Sequence, residues 1–367
     1  MSVVNVGIIG CGNISNVYFE AGNKFEIFDI VACADLIPER AEAKASEFNN
    51  IEPRSVEAIM EDPAIEIIVN LTIPGAHADI ASSALLNGKS VYTEKPMAIC
   101  KEDGKKLLDL AITAPGLIGG APDTFMGAGI QTCRKLIDDG WIGKPVAATG
   151  FMLSPGHERW HPDPGFFYQE GGGPMLDMGP YYITALINLM GPVVRLTGGT
   201  QISFPERIVR SQPLYGKKIT VDVPTHVAGI LEFKEGAIGT IITSFDVWHH
   251  EMPRIEIYGT DGSISVPDPN SFGGPVKLRR AGAETWNEMP LSHNYDEQSR
   301  GLGVADMAYA LRSGRPHRAN GKLTYHVLDI MESIHQSAKL GQHITLESTC
   351  TRPEPLPLGL APYTLDL

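Results

Sequence analysis

Residues Val4 to Ser15 read Val-Asn-Val-Gly-Ile-Ile-Gly-Cys-Gly-Asn-Ile-Ser, and this stretch decides the fold. The β-branched apolar run at its start, Val3, Val4, Val6, Ile8 and Ile9, has the length and composition of a buried parallel strand. Gly10 ends it. Gly10 and Gly12 permit a tight turn that lets backbone approach a bulky anion, and Asn13, Ile14 and Ser15 begin a helix whose free N–H groups face that anion. Strand, glycine turn and helix in this order are the grammar of a dinucleotide site. Ser15 takes the place of the third glycine in G-x-G-x-x-G, small enough for close packing of helix on strand. A second strand, Phe28 to Ala34, ends at Asp35 about twenty residues on, where a carboxylate can accept bonds from the adenosine ribose hydroxyls.

Length and composition bound what surrounds this turn. The 367 residues suffice for two domains, each with its own core. Hydrophobic residues at 43% and charged residues at 20% are those of a globular protein. A formal net charge of -13 argues against a nucleic-acid surface, because Lys and Arg occur only as isolated pairs such as Lys105-Lys106 and Arg279-Arg280. Cys11, Cys33, Cys100, Cys133 and Cys350 are scattered and never at C-x-x-C spacing, which indicates neither a zinc knuckle nor a disulfide framework. No apolar run approaches a membrane span, and Met1 leads directly into the first strand. The expectation is a cytoplasmic protein that works on a small molecule, without nucleic acid or membrane as partner.

Strands and helices alternate through the first third. A crossover helix is expected over Pro38 to Phe48, a short one over Ser55 to Glu61, strands at Ile65 to Leu71, Ser90 to Thr93 and Leu117 to Ala121, and a helix over Lys101 to Ala111. Near Pro122 the rhythm changes to extended segments, at Val146 to Met152, Val193 to Phe204, His226 to Phe233, Ala237 to Phe245, Arg254 to Tyr258 and Ser263 to Val266. Lys234-Glu235-Gly236 and Asp261-Gly262 make hairpin turns. The fold class is therefore α/β. A doubly wound parallel sheet occupies residues 1–121, and an α+β domain with a large, mainly antiparallel open sheet occupies 122–367. A core-facing helix over Leu323 to Leu340 and a proline-rich extended arm over Cys350 to Leu367 complete the second domain.

Two stretches carry chemistry. Glu94-Lys95-Pro96 follows a sheet strand at its carboxyl end, where such a domain presents groups to the reactive end of its cofactor. Gly171-Gly172-Gly173-Pro174-Met175-Leu176-Asp177-Met178-Gly179-Pro180-Tyr181-Tyr182 joins a glycine turn to an acid and two phenols. Glycines there could let backbone approach a ligand, and Asp177 and Tyr181 share one face if the segment is helical. Pro180 favours a helix that starts nearby. A third stretch, His157-Glu158-Arg159-Trp160-His161, spells the zinc-protease signature H-E-x-x-H, but Pro155 and Pro162 leave barely one turn for a motif that needs a helix, so no metal is expected. Trp160 and His161 instead suit a loop over a sugar ring. Asp123, at the head of the second domain, joins them as a substrate-binding candidate.

The glycine turn, Thr72-Ile73-Pro74 with His77, Glu94-Lys95-Pro96, and Gly-Gly-Gly-x-x-x-Asp-x-Gly-x-Tyr at 171–181, in this order, resemble the glucose-fructose oxidoreductase and inositol dehydrogenase family (Gfo/Idh/MocA). The resemblance covers nearly the whole chain. It implies a nicotinamide cofactor on the N-terminal domain, and the Asp35 carboxylate, which repels a 2′-phosphate, favours NAD over NADP; the expected cofactor-binding residues are Gly10, Gly12, Asn13, Ile14, Ser15, Asp35, Thr72, Pro74, His77, Glu94 and Lys95. It also implies a cis peptide before Pro96, a homodimer or homotetramer formed through the C-terminal sheet, and hydride transfer at Lys95 and Asp177. Many members carry His where Tyr181 stands; a smaller group, resembling dihydrodiol dehydrogenases and glucose-fructose oxidoreductase, carries Tyr. Lys95 with an ordinary pKa near 10.4 and Asp177 with one near 4 are poor bases for an alcohol, which leaves the proton-accepting role to Tyr181. The expected activity is NAD-dependent oxidation of a secondary alcohol in a sugar, cyclitol or glycoside. The alternatives are a glycosidase that uses bound NAD for transient oxidation and a non-catalytic nucleotide sensor on the same fold.

Overall fold

A computed structural model describes residues 1–48 and 50–366 of the chain. It divides into two compact units. Residues 1–128 and 292–328, with the stretch from Pro353 onward, form the first, and residues 129–291 and 329–352 form the second.

In the first unit β1 (Val4–Ile9), β2 (Phe28–Ala34), β3 (Glu52–Pro53), β4 (Ile67–Asn70), β5 (Ser90–Thr93) and β6 (Ile118–Gly120) make one sheet in the order β3-β2-β1-β4-β5-β6. Every pairing is parallel. Val6, Ile8, Ile67, Ile68 and Val91 are fully buried. Such continuous apolar runs belong to strands covered on both faces. The covering helices include Ser15–Gly22, Pro38–Glu47, His77–Leu86 and Lys101–Thr113. The strand order reverses direction between β1 and β4, the switch point at which ligands bind outside the carboxyl ends of an open sheet.

The expected single boundary at 121/122 differs from the observed division in both position and kind. The chain leaves the first unit after Ala128 and returns to it at Ser292. The reason lies at the sheet edge. Gly120 N donates to Ala319 O at 3.0 Å, so the returning chain takes up β6's open hydrogen-bonding side. The returning helix, Leu302–Ser313, carries the fully buried Asp306, which accepts from Arg315 at 2.8 Å and from Arg318 at 2.5 Å. The proline-rich arm is extended, as its composition predicts, but it lies on the first unit. Arg318 donates to Glu354 O and Pro355 O, the Arg315 guanidinium pairs with Asp366, and Leu356 and Leu365 are buried. The arm's last residue, Leu367, lies outside the described residues.

The second unit holds β7 (Pro145–Leu153), β8 (Val193–Gln201), β9 (Glu206–Ile208), β10 (Lys218–Thr220), β11 (His226–Phe233), β12 (Ile238–Ser244), β13 (Ile255–Gly259), β14 (Gly262–Val266), β15 (Val276–Arg280), β16 (Asn287–Met289) and β17 (Ile344–Thr345). Nine of these form a sheet in the order β16-β15-β14-β13-β7-β12-β11-β8-β17. All its pairings are antiparallel except β7 with β12. The helix Pro174–Met190 packs on one face through Tyr182 and Leu186 against Gly150. On the other face Ile230 and Ile238 stay about half exposed, and strand burial alternates accordingly. No helix among the described residues is long and apolar enough to cross a membrane.

Asp123, expected to bind substrate, is instead 1% exposed, and its Oδ2 accepts from Gly301 N and Gly303 N at 3.0 Å each, at the start of the Leu302–Ser313 helix. Burial pushes its carboxyl up from an ordinary 3.8 to about 6 against the opposing pull of the Gly303 and Gly301 amides and Arg300. A raised folded-state pKa means that folding is favoured most below pH 3.8 and progressively less as pH rises to about 6. Asp123→Asn keeps the accepting oxygen and removes the titration. The unaltered protein should therefore gain about 1 kcal/mol relative to Asp123→Asn as pH falls from 7.5 to 5, measured by urea unfolding. Parallel pH curves for the two proteins would refute the assignment.

Candidate active site

Four adjacent strands of the first unit deliver their carboxyl ends to one edge. Asp35 follows β2, Gly10 follows β1, and Thr72 and Lys95 lie two residues beyond the ends of β4 and β5. With roughly 4.8 Å between strands, these ends span about 14 Å, a row suited to an extended dinucleotide. Gly10 has φ +102°, and a Cβ there would lie 2.6 Å from the Leu71 carbonyl carbon and oxygen, so no other residue fits. At Gly12 a Cβ would meet nothing within 4 Å, which leaves open space in front of the turn. Asn13 and Ile14 are exposed on that rim. Ser15 is fully buried beneath it, donating its hydroxyl to Gly12 O at 2.7 Å. Its part is to shape the turn.

The remaining first-unit candidates separate into those that face outward and those that brace. Asp35 accepts Cys11 N at 2.8 Å and Ile37 N at 2.9 Å, which fixes the carboxylate just beyond β2, and Arg40 lies 4.0 Å from it. Pro74 opens a short turn, Pro74–Ala76, beside Thr72. His77 is 1% exposed, with Nδ1 2.7 Å from Pro96 O and Nε2 2.9 Å from Thr72 O; burial holds its pKa below the ordinary value. It ties two strand-end loops together from behind. Glu94 accepts Tyr18 Oη at 2.8 Å and Lys95 N at 2.9 Å, so its carboxylate braces the backbone that presents Lys95. The Lys95–Pro96 peptide is cis, as the resemblance implies. Asn70, which the sequence did not single out, is fully buried, accepts the Thr72 hydroxyl at 2.7 Å and donates to His77 O at 3.0 Å. The open space at Gly12, the fixed Asp35 and the half-buried Lys95 fit a nicotinamide dinucleotide, with Gly10, Gly12, Asn13 and Ile14 around its phosphates.

In the second unit Asp177 and Tyr181 belong to the single helix Pro174–Met190, one turn apart and on one face. The helix starts at Pro174 and runs through Pro180, earlier than Pro180 alone suggested. Proline in a helix costs about 3 kcal/mol. Here Met175, Tyr182, Ile183, Leu186, Ile187 and Leu189 are each at most 1% exposed, a burial large enough to offset it. The glycine triplet serves the chain's own packing: a Cβ at Gly172 would lie 2.4 Å from Phe166 O.

The His157-Glu158-x-x-His161 stretch forms one 3-10 turn, His157–Arg159, whose side chains diverge. His157 Nε2 lies 2.9 Å from Asp177 Oδ2. Glu158 is buried, pairs with Arg207 at 3.0 Å and accepts the Tyr168 hydroxyl. Burial, then Glu158, raises the Tyr168 pKa well above its usual value. His161 Nδ1 accepts Asp163 N at 3.1 Å. Trp160, 63% exposed, lies beside both histidine rings, and Phe166 and Trp248 are exposed near it in sequence or in contact with Arg159. His249 and His250 are solvated. Arg207 also binds Asp246, which accepts Thr225 Oγ1 at 2.8 Å. A buried arginine between two buried acids cannot be removed cheaply. Arg207→Ala should destabilise the protein by about 3–5 kcal/mol in chemical unfolding, because it strands both carboxylates. A loss under about 1 kcal/mol would show that the pairing is idle.

Comparison with known proteins gives the family. Residues 4–118 match the model of the oxidoreductase family with an NAD-binding Rossmann fold, and residues 130–265 match that of the GFO/IDH/MocA C-terminal domain. The chain is 28% identical to scyllo-inositol 2-dehydrogenase (NAD(+)) of Bacillus subtilis, over 72% of this chain and 73% of that protein. It is 26% identical to levoglucosan dehydrogenase of Pseudarthrobacter phenanthrenivorans, over 72% and 73% respectively. A solved levoglucosan dehydrogenase in complex with NADH and L-sorbose shares the fold at a TM-score of 0.81 and 22% identity, covering 95% of this chain and 100% of that one. Turn, strand-end row and two-part family match agree: the chain belongs to the Gfo/Idh/MocA family and is an NAD-dependent oxidoreductase.

Proposed function

We propose that the enzyme oxidises a secondary alcohol of a sugar, cyclitol or glycoside, with Tyr181 as proton acceptor, Asp177 orienting the substrate and Lys95 stabilising negative charge on the reacting oxygen. The observation that carries this proposal is the placement of Asp177 and Tyr181 one turn apart on one helix face, with the exposed aromatic loop of Trp160 joined to Asp177 through His157. Bound NAD supplies the hydride acceptor. Lys95 is held by Glu94 through its backbone, and its side chain supplies positive charge beside the reacting oxygen. A carboxylate at Asp177 accepts a substrate hydroxyl, and the face of Trp160 suits the apolar side of a pyranose or cyclitol ring. The adjacent phenol, Tyr182, has a packing role: it is fully buried and donates to Phe151 O at 3.3 Å. The relatives named for D-xylose, scyllo-inositol and levoglucosan support the polyol class. The half-exposed Ile230 and Ile238 on the uncovered face of the large sheet support self-association of the chain there.

A panel of sugars, cyclitols and glycosides with NAD, followed by absorbance of the reduced nicotinamide, tests the activity. Steady NADH accumulation is expected; glycoside cleavage without it would identify a glycosidase. Tyr181→Phe should keep NAD binding and lower turnover by about 10²-fold or more, whereas Tyr182→Phe should change turnover by less than about threefold. A small effect of Tyr181→Phe would remove Tyr181 from the proton-accepting role.

The carboxylate of Asp35 repels a 2′-phosphate and accepts a 2′-hydroxyl. Asp35→Ser should narrow the preference for NAD over NADP by about tenfold in binding titrations, and an unchanged preference would place the discrimination elsewhere.

A further inference from the structure

The H-E-x-x-H pentapeptide left one residue that neither the cofactor turn nor the proton-accepting helix accounts for. We infer that His157 is a positioning residue of the dehydrogenase site, holding the Asp177 carboxylate through a hydrogen bond from Nε2; this rests on the dehydrogenase function proposed above. A carboxylate only accepts, so at 2.9 Å the Nε2 must carry the proton, and the bond fixes the ring's donor. The ring has little freedom to leave. Its centroid lies 4.1 Å from that of Phe167 at 86°, 4.5 Å from that of Phe245 and 5.2 Å from that of Trp160. Its backbone N–H donates to the buried Tyr168 hydroxyl at 3.0 Å. The bond to Oδ2 therefore restrains the rotation of the carboxylate about its own axis, so that a substrate hydroxyl meets Asp177 in a preferred orientation.

A purely structural bond would sit elsewhere. The loop from Ser154 to Tyr168 is already anchored by Glu158, Arg207 and Asp246, whose side chains are at most 8% exposed. The His157 and Asp177 side chains are 12% and 15% exposed, so this pair opens to solvent where a substrate can enter. The same histidine lies against Trp160, the exposed ring suited to a sugar face. One residue thus links the group that would bind a hydroxyl to the group that would cover the ring.

The test uses the full chain, NAD and a polyol that the unaltered protein oxidises. His157→Phe keeps the aromatic packing and deletes the donor. It should leave the melting temperature within about 4 °C and the NAD dissociation constant within about twofold, while kcat/KM for the polyol falls about 10- to 100-fold. His157→Gln carries an N–H near the place of Nε2 and should recover activity to within about fivefold of the unaltered protein. In an Asp177→Ala background, His157→Phe should add no further loss. Should His157→Phe not fold, His157→Gln against His157→Met makes the same comparison. Unchanged kcat/KM in His157→Phe, equal losses in the Phe and Gln variants, or losses that add to Asp177→Ala would each overturn the inference while leaving the dehydrogenase proposal standing. No oxidation of any polyol by the unaltered protein would overturn both.

Discussion

Loops that leave buried parallel strands must satisfy their polar groups without water, and in this protein a few side chains do so by bonding at both ends inside the loops themselves. His77 lies between the carbonyls of Thr72 and Pro96 and donates to one of them; Asn70 holds Thr72 and the His77 carbonyl; Glu94 bridges Tyr18 and the Lys95 amide; Asp35 accepts two amides. Each brace is buried or nearly so. The strand-end row is thereby rigid before any ligand arrives, which lowers the ordering cost of binding and keeps Lys95 in a defined place. His77 and Glu94, expected to touch the cofactor, are themselves bound to the loops that carry Thr72 and Lys95.

The sheet of the first unit was legible because its signals are local. β2 and β5 fall at the expected limits, as does β11 of the second unit, and the other expected strands fall within about three residues of theirs. The Leu302–Ser313 helix was not legible, and its composition explains why. Leu302, Gly303, Val304, Ala305, Asp306, Met307, Ala308 and Ala310 are all buried, so the helix has no polar face and no 3.6-residue alternation to detect. The proline-rich arm signals its extended form but not its seat. Besides the Arg315–Asp366 pair and buried leucines, it is held through backbone carbonyls, which carry no signature in side-chain identity.

In the second unit the obstacle is sequence distance. Glu158 and Arg207 are 49 residues apart, and Arg207 and Asp246 are 39 apart. No spacing rule connects them. The H-E-x-x-H pattern shows the same limit in reverse: its spacing is meaningful only on a helix, and the prolines at 155 and 162 confine it to one turn. Freed from that geometry, Glu158 becomes the buried partner of an arginine, while His157 turns to Asp177, 20 residues on.

Tyr181 and Tyr182 show how far side-chain identity can carry a functional argument. Two phenols in sequence are chemically equivalent on paper, but successive residues of a helix point about 100° apart. Tyr182 falls on the stripe that meets β7, with no exposure and its hydroxyl on Phe151 O, where burial raises its pKa and keeps the phenol protonated. Tyr181 falls one turn from Asp177. Once the helix is known to run through Pro180, its phase alone separates the two. The spacing of four between the acid and the first phenol is then the part of the proposed site that the sequence could express directly, because it needs only the helix. The bond from His157 that steadies the acid needs the loop, the aromatic cage and the buried arginine together, and so becomes visible only in three dimensions.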